Sequence, residues 1–94
     1  MTRFVLSPKA QREIADIWLY TADRWGVDQA DRYVLSIERD LESSAAGSPL
    51  VRPVDKFWRI RSGHHLCVFQ PQDDGTIYVI RVLHERVDVK RHLG

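Results

Sequence analysis

The spacing of apolar residues changes once, near the middle of this 94-residue chain, and that change constrains the fold more than any other feature. Between residues 10 and 41, apolar side chains recur every three or four positions, as they do on one face of a helix. After Asp55 they alternate with polar side chains or form β-branched runs, which is typical of strands. Helices followed by strands predict an α+β fold in which the helices cover one face of a sheet.

Two helices are predicted in the first half of the chain. Ser7 can cap the first helix with its hydroxyl, and Pro8 suits the first helical position because its missing N–H costs nothing there. Gly26 is predicted to end this helix, and Asp28 to cap the second helix. About three residues then separate the helices, which predicts an antiparallel hairpin. The predicted inner face of the first helix comprises Ala10, Ile14, Ile17, Trp18, Thr21 and Trp25.

One strand is predicted before the helices and three after them. The first covers residues 3–6. Residues 43–49 are predicted to end the second helix, and the stretch from there to Asp55 is predicted to form an irregular surface loop because Pro49 and Pro53 occur in it. The later strands are predicted at 56–61, 65–70 and 76–84. With a short helical turn capped by Asp88, the order is β-α-α-β-β-β, a three-stranded meander covered by a helical hairpin. The length allows a single domain, residues 1–94.

Composition excludes several classes of protein. Hydrophobic residues make up 44% and charged residues 29%, which is close to the globular average and argues against disorder or a coiled coil. The single cysteine excludes a disulfide framework and a cysteine-rich zinc site. No run of eighteen apolar residues and no signal peptide occur, so we expect a cytoplasmic protein without a membrane span.

No motif for catalysis, metal binding or cofactor binding stands out. The neighbouring His64 and His65 are expected to point to opposite faces of a strand, which argues against a shared metal site. Cys67 lies in a predicted buried strand, where a cysteine usually behaves as a small hydrophobe. No glycine-rich phosphate loop is present. We therefore predict no catalytic residues, no metal and no cofactor.

Positive charge is concentrated in the second half of the chain. Residues 1–55 carry a net charge of −2 and residues 56–94 a net charge of +3, and all four histidines belong to the second segment. Arg59 and Arg61 are predicted to share one strand face, and Arg81 lies among aliphatic residues, where a guanidinium is costly unless paired. Two interpretations remain open: a cationic face that binds RNA phosphates or an acidic protein patch, or an arginine paired with Glu85 or Asp88.

Aromatic residues also allow two interpretations. Leu19 and Tyr20 lie off the inner face of the first helix, and Phe57 and Trp58 are neighbours in one strand, so one of that pair must face away from the helices. Exposed aromatics on so small a domain favour a protein partner. Packing in the core or at an edge is the alternative.

Four groups of residues occur in a recognisable order. They are Leu6-Ser7-Pro8-x-Ala10 with Glu13-Ile14-x-x-Ile17-Trp18-x-Tyr20, Trp25-Gly26-x-x-Gln29-Ala30-x-x-Tyr33, Arg61-x-Gly63-x-His65, and Tyr78-Val79-Ile80-Arg81-Val82-Leu83-His84-x-x-x-Asp88 followed by Arg91-His92-Leu93. Together, from about residue 4 to residue 93, they resemble the ParE-type toxins of the RelE/ParE superfamily. The resemblance implies an antiparallel helical hairpin packed on a mostly antiparallel sheet.

The two branches of that superfamily differ in activity. RelE-type members cut mRNA on the ribosome with basic side chains, whereas ParE-type members are understood to poison DNA gyrase. This chain has His65 where the nuclease branch tends to have an arginine, Glu85 within the expected basic run, and no tyrosine in its tail. The resemblance therefore implies a non-enzymatic toxin of a type II toxin–antitoxin system that inhibits gyrase by protein–protein contact.

Two other functions remain open. One is a ribosome-dependent mRNA endonuclease of the RelE type, in which Arg81 and His84 would carry acid–base work. The other is a detoxified toxin homologue that serves as antitoxin ligand and co-repressor.

The resemblance also implies a partner, a ParD-like antitoxin with a ribbon-helix-helix DNA-binding half. The toxin would form a hetero-oligomeric complex with it and would contact DNA only indirectly. The predicted target-contact residues are Arg59, Arg61, His65, Arg81, His84, Arg86, Lys90 and Arg91. The predicted antitoxin-binding residues are Leu19, Tyr20, Tyr33, Phe57 and Trp58.

Overall fold

The computed structural model describes residues 3–93, and over that range it confirms the α+β prediction. Residues 1, 2 and 94 of the predicted domain lie outside the described part. The elements in chain order are β1 (Phe4–Leu6), α1 (Pro8–Trp25), α2 (Val27–Ala45), β2 (Arg52–Val54), β3 (Phe57–Ser62), β4 (His65–Pro71), β5 (Ile77–His84) and a 3₁₀ turn (Val89–His92).

The strands form one mixed sheet in the order β1-β5-β4-β3-β2. Strand β1 runs parallel to β5, and every other neighbouring pair is antiparallel, which confirms the mostly antiparallel sheet. The predicted loop that follows α2 and runs to Asp55 is wrong at its end, because Arg52–Val54 pairs with β3. Pro53 suggested a loop, but a proline is tolerated in a strand at the edge of a sheet, where its missing N–H need not find a partner.

The helix boundaries follow local chemistry at α1 and depart from prediction at α2. The Ser7 hydroxyl accepts a hydrogen bond from the Ala10 N–H at 3.0 Å, as predicted. Gly26 closes α1 with φ of 96°, and α2 begins at the next residue. One residue separates the helices instead of three, because a glycine with positive φ can reverse the chain in a single step. Asp28 lies in the first turn of α2 and does not cap it.

The helical hairpin buries its inner face on one side of the sheet, and one predicted core residue lies outside this contact. Trp25 is 68% exposed, since it is the last residue of α1 at the tip of the hairpin. Burial raises the pKa of the Cys67 thiol to about 12, so this cysteine is an inert part of the core. The core comprises Ala10, Ile37, Leu41, Ile60, Cys67, Phe69, Ile77, Val79 and Val82.

A β-bulge interrupts β5 beside the start of α1. Two adjacent β4 residues pair with Arg81 and Val79, so the intervening Ile80 has no partner. Ser7 satisfies the exposed backbone: its N–H donates to the Val79 carbonyl at 2.8 Å, and its hydroxyl donates to the Ile80 carbonyl at 2.7 Å. The residue that caps α1 therefore also completes the hydrogen bonding of the bulge.

Candidate functional site

A groove lies between the helical hairpin and the ends of β4 and β5, and its cavity volume is about 930 Å³. We call it the imidazole groove. Its apolar wall comes from Ile17, Tyr20 and Trp25 of α1. Its polar wall comes from α2, from the β3–β4 turn and from the strand ends, and includes Arg32, Tyr33, His64, His65 and His84.

Strand pairing brings the three histidines together. His65 begins β4 and pairs with His84 at the end of β5, and their ring centroids are 5.4 Å apart in an edge-on arrangement. The His64 ring is stacked on His84 with centroids 6.5 Å apart. The expectation that His64 and His65 point to opposite faces is wrong, because His64 lies in the β3–β4 turn, where strand alternation does not apply.

Tyr33 joins the helical hairpin to this turn. Its hydroxyl accepts a hydrogen bond from the His64 backbone N–H at 3.0 Å and lies 2.7 Å from His65 Nδ1. A Cβ on Gly63 would lie 2.7 Å from the same hydroxyl, and Gly63 has φ of 58°. Glycine is therefore required both for the turn and for the close approach of the Tyr33 ring.

The groove favours a neutral His65. Burial lowers its pKa, and the neighbouring His84 and His64 lower it further. Burial also raises the pKa of Tyr33, so its hydroxyl keeps its proton. Within residues 3–93, the other acceptor for that proton is the Ser62 carbonyl, which is farther away at 3.5 Å, so we assign the Tyr33 hydroxyl as donor to His65 Nδ1.

Glu85 neutralises two of the basic groups next to the groove. Its carboxylate accepts from the Arg61 guanidinium at 2.5 Å and from His64 Nδ1 at 2.7 Å. Its backbone N–H donates to the His64 carbonyl at 2.8 Å. The hydrogen bond with His64, followed by the charge of Arg61, lowers the pKa of Glu85. This carboxylate thus ties the β3–β4 turn to the end of β5.

Arg81 is engaged inside the fold instead of lying on an open face. Its guanidinium donates to both carboxylate oxygens of Glu13 in α1, the shortest contact being 2.7 Å, and the two side chains are 16% and 19% exposed. Glu13 also accepts from the Val82 N–H at 2.9 Å, and Arg81 donates to the His92 carbonyl at 3.2 Å. The acceptor for Arg81 therefore comes from a helix 68 positions away. The alternative of an arginine paired with Glu85 or Asp88 holds for two other arginines, Arg61 and Arg91.

The predicted target-contact residues divide between two regions. His65 and His84 line the imidazole groove. Arg59 and Arg61 share the sheet face opposite the helices, as predicted, because they alternate with the core residue Ile60. The remaining exposed candidates belong to the C-terminal segment and are Arg86, Lys90 and Arg91.

The predicted antitoxin-binding residues do not form one patch. Leu19 and Tyr20 are about 60% exposed on the hairpin, at 60% and 59%, and Tyr33 contacts the groove. Trp58 lies near the other end of the helices, against a second cavity of about 450 Å³ beside Phe69. Phe57 faces away from the helices.

Sequence reasoning missed two residues of this region. Glu13 was not predicted as the partner of Arg81, and Trp25 was predicted in the core but is exposed. The only available signal for Glu13 was an acidic residue in the first turns of a helix, which is too common to assign. Within residues 3–93, no group of three or more His, Cys, Asp or Glu side chains could hold a metal ion. In the same range, no helix is long and apolar enough to cross a membrane.

The helical hairpin packed on a five-stranded mixed sheet defines a small α+β class of protein. A solved structure described as the chromosomal ParDE toxin–antitoxin system from P. aeruginosa has the same fold, with a TM-score of 0.63 and 17% identity over 89% of this chain and 96% of that one. The model of the family described as "ParE toxin of type II toxin-antitoxin system, parDE" matches residues 4–89. The chain therefore belongs to the ParE toxin family.

The similarity to curated relatives extends along the whole chain. Toxin ParE1 of Mycobacterium tuberculosis (strain H37Rv) is 38% identical over 96 residues, which cover 98% of each chain. Toxin ParE1 of Caulobacter vibrioides is 31% identical over 98 residues, with full coverage of both chains. Toxin ParE of Escherichia coli is 28% identical and covers 95% of that protein. The similarity therefore includes both the groove and the C-terminal segment.

Proposed function

We propose that this ParE-family toxin inhibits DNA gyrase by protein–protein contact, without breaking a covalent bond, and that a ParD-like antitoxin neutralises it. The observation that carries the proposal is the internal pairing of the strand arginines. Arg61 pairs with Glu85 and Arg81 with Glu13, so two candidate phosphate-binding cations are already neutralised by carboxylates. A carboxylate beside a guanidinium repels RNA phosphates, which favours a protein target over an RNA substrate.

The C-terminal segment is the proposed target-contact surface. Arg86 and Lys90 are exposed, and the ion pair between Arg91 and Asp88 is long, at 3.5 Å, with the Arg91 side chain 85% exposed. An exposed pair of this kind contributes little to folding, so its cation remains available to an acidic surface of a partner. Arg59 lies beside the segment, since it shares a small cavity with Val89.

The helical hairpin is the proposed antitoxin surface. Leu19, Tyr20 and Trp25 are exposed on α1, and the latter two lead into the imidazole groove. Exposed aromatic side chains around a concave apolar surface suit a partner segment that folds on binding. A ribbon-helix-helix half of the antitoxin would then provide the only contact of the complex with DNA.

Supercoiling by purified gyrase tests the target. The full chain should inhibit supercoiling and stabilise cleaved DNA, and the double variant Lys90→Ala/Arg91→Ala should do so more weakly while keeping the parental fold. The matched control is Lys9→Ala/Arg12→Ala, which removes two exposed basic side chains of α1 outside the C-terminal segment. Normal supercoiling at high molar excess of the toxin would refute gyrase inhibition, and so would failure of the expressed chain to arrest growth.

One observation favours a second candidate, the ribosome-dependent mRNA endonuclease. The groove places two imidazoles and a phenol together, and His65 is held in the neutral form that a general base requires. Primer extension on cellular mRNA after induction distinguishes the two functions. Cuts at fixed codon positions that disappear in His65→Gln would establish the nuclease and exclude purely non-covalent inhibition.

A further inference from the structure

We propose that His65 and His84 form a carboxylate-binding subsite in the imidazole groove, which receives an acidic side chain of the antitoxin, and that His65 takes up a proton when this subsite is filled. The proposal rests on the proposed function in one respect, namely that the antitoxin occupies the groove. It adds the chemistry by which the groove would recognise that partner.

The hydrogen bonds of both rings determine where their protons lie. His84 Nδ1 accepts from the Arg86 backbone N–H at 3.2 Å, and His65 Nδ1 accepts from the Tyr33 hydroxyl at 2.7 Å. A neutral imidazole has one acceptor and one donor nitrogen, so each ring carries its proton on Nε2. Among the described residues neither Nε2–H has an acceptor, although both rings line the groove. Two adjacent donors of this kind suit the two oxygens of one carboxylate.

The two histidines differ in their capacity for a second proton. If His65 Nδ1 is protonated, the Tyr33 hydroxyl can rotate, accept from it and donate to the Ser62 carbonyl, which lies 3.5 Å away. The partner of His84 Nδ1 is a backbone N–H, which cannot become an acceptor. Protonation of His84 would therefore place two donors against each other. His65 is the group that gains charge.

The surroundings set the direction of the proton linkage. In the free toxin, burial and the neighbouring imidazoles keep the pKa of His65 below its ordinary value. A bound carboxylate favours the imidazolium form, so the pKa in the complex is higher than in the free toxin. Binding therefore takes up protons, and affinity increases as the pH falls towards the pKa of the free ring. The groups that face or adjoin His65 are Asp16 of α1, Arg32 and Tyr33 of α2, His64 of the turn, His84 of β5, Glu85 after it, and Cys67 within β4.

Charge complementarity specifies the occupant further. Beside the apolar wall, Arg32 lines the groove and the Arg24 guanidinium lies 5.0 Å from the centre of the Tyr20 ring. Among the described residues, Asp16 is the carboxylate in the lining, and Glu85 is bonded to His64 beside it. The lining itself sets Arg32 and three imidazoles against that one carboxylate, so the groove fits an acidic segment with apolar anchors better than it fits a basic one.

The first experiment uses small probes on the full-length chain. Histidine ring resonances would be followed by NMR during titration with 4-phenylbutyrate and with its neutral isostere, 4-phenylbutyramide. We expect the carboxylate to bind about fivefold more tightly, because charge-assisted hydrogen bonds exceed neutral ones. It should move the Nε2 resonances of His65 and His84 and leave those of His92 unchanged. Equal affinity of the amide, or equal displacement by inorganic phosphate, would overturn a carboxylate subsite.

Two pairs of variants separate the roles of the rings. In His84→Asn the side-chain carbonyl can still accept from the Arg86 N–H, but the donor at Nε2 is lost, whereas His84→Gln restores a donor there. The Asn variant should lose the preference for the carboxylate, and the Gln variant should keep it. His65→Gln should bind the carboxylate without pH dependence, and His92→Gln should behave as the parent. An unchanged preference in His84→Asn would contradict the subsite.

The second experiment uses the toxin with the ParD-like antitoxin of the proposed function. Calorimetric titration in two buffers of different ionisation enthalpy measures the protons bound on association. We expect net uptake near neutral pH, which His65→Gln abolishes. Association without uptake, or uptake that persists in His65→Gln, would overturn the role of His65 even if gyrase inhibition is confirmed. Conversely, a failed gyrase assay would leave this result intact, because neither arm contains gyrase.

Discussion

The imidazole groove and the sheet face opposite the helices both contain basic side chains, yet they differ in how their hydrogen-bond donors are used. Outside the groove, Arg61 on that sheet face and Arg81 beside α1 already donate to carboxylates of the fold. In the groove, the Nε2 donors of His65 and His84 have no acceptor among residues 3–93. Since neither donor is used inside the fold, both are available to an acceptor that enters the groove.

This difference changes how positive charge should be interpreted. An arginine within an aliphatic strand is costly to bury, and the fold offsets that cost with a carboxylate. Such an arginine stands out in the sequence as a possible binding residue, but in the folded protein its role is to stabilise the structure. The imidazoles of His65 and His84 attract less attention in the sequence, but each keeps one ring nitrogen that no group within residues 3–93 contacts.

Removing the Glu13 carboxylate should produce the largest loss of stability. In Glu13→Ala, the partly buried Arg81 guanidinium and the Val82 N–H both lose their acceptor, so the free energy of unfolding should fall by about 3 kcal/mol. Urea unfolding of the full chain measures this loss. The matched control is Arg91→Ala, which breaks an exposed pair and should change stability by no more than about 0.5 kcal/mol. Similar small losses in both variants would mean that the Arg81 pair is not structural.

The turn beneath Tyr33 should be the next most sensitive position. Gly63→Ala introduces a Cβ 2.7 Å from the Tyr33 hydroxyl at a positive φ, and should cost about 2 kcal/mol. Gly75→Ala has a positive φ as well but no atom within 4 Å of the new Cβ, so it should cost about 1 kcal/mol. Thermal unfolding of the two variants gives the comparison. If Gly75→Ala is the more damaging, contact with Tyr33 is not what requires Gly63.

Tyr33→Phe tests the assigned direction of the hydrogen bond in the groove. The loss of the hydroxyl should reduce stability by about 1 kcal/mol, because the His64 N–H also loses its acceptor. The pKa of His65 should rise, since a donor to Nδ1 favours the neutral ring. An NMR titration of the ring resonances measures this shift. A further fall of that pKa would show that Tyr33 accepts from His65, with the proton on Nδ1.

The pH dependence of stability should show the smallest effect. Because burial lowers the pKa of His65 in the fold, the unfolded chain binds a proton at higher pH than the folded chain does. The free energy of unfolding should therefore decrease as the pH falls from the ordinary histidine pKa towards the lowered one. Urea unfolding at several pH values should show this decrease in the parent and in His92→Gln, but a flatter profile in His65→Gln. Equal profiles would remove His65 as the source.

The fold could be predicted mainly where interactions between residues close in the sequence determine the structure. Ser7, Pro8 and Gly26 mark the ends of α1 through capping and backbone conformation, and the helical spacing of the inner residues places Ile37 and Leu41 in the core. Strands β3 to β5 follow from alternation and β-branched runs. Strand β2 was missed because its pairing with β3, and not its own residues, makes it a strand.

The candidate site, like the fold, was predictable in part from the sequence and depended in part on tertiary contacts. The residue sequence already contained His65, His84 and Tyr33 as candidates, and their chemistry does not depend on the fold. Their meeting in one groove was decided by the pairing of β4 with β5 and by the approach of α2 to the β3–β4 turn. Likewise, Arg81 found its partner in Glu13, 68 positions away. Caps, turns and periodicity act over a few residues and are visible in the sequence, whereas these contacts exist only after distant segments pack, so the tertiary structure alone decided which basic groups are neutralised and which remain free.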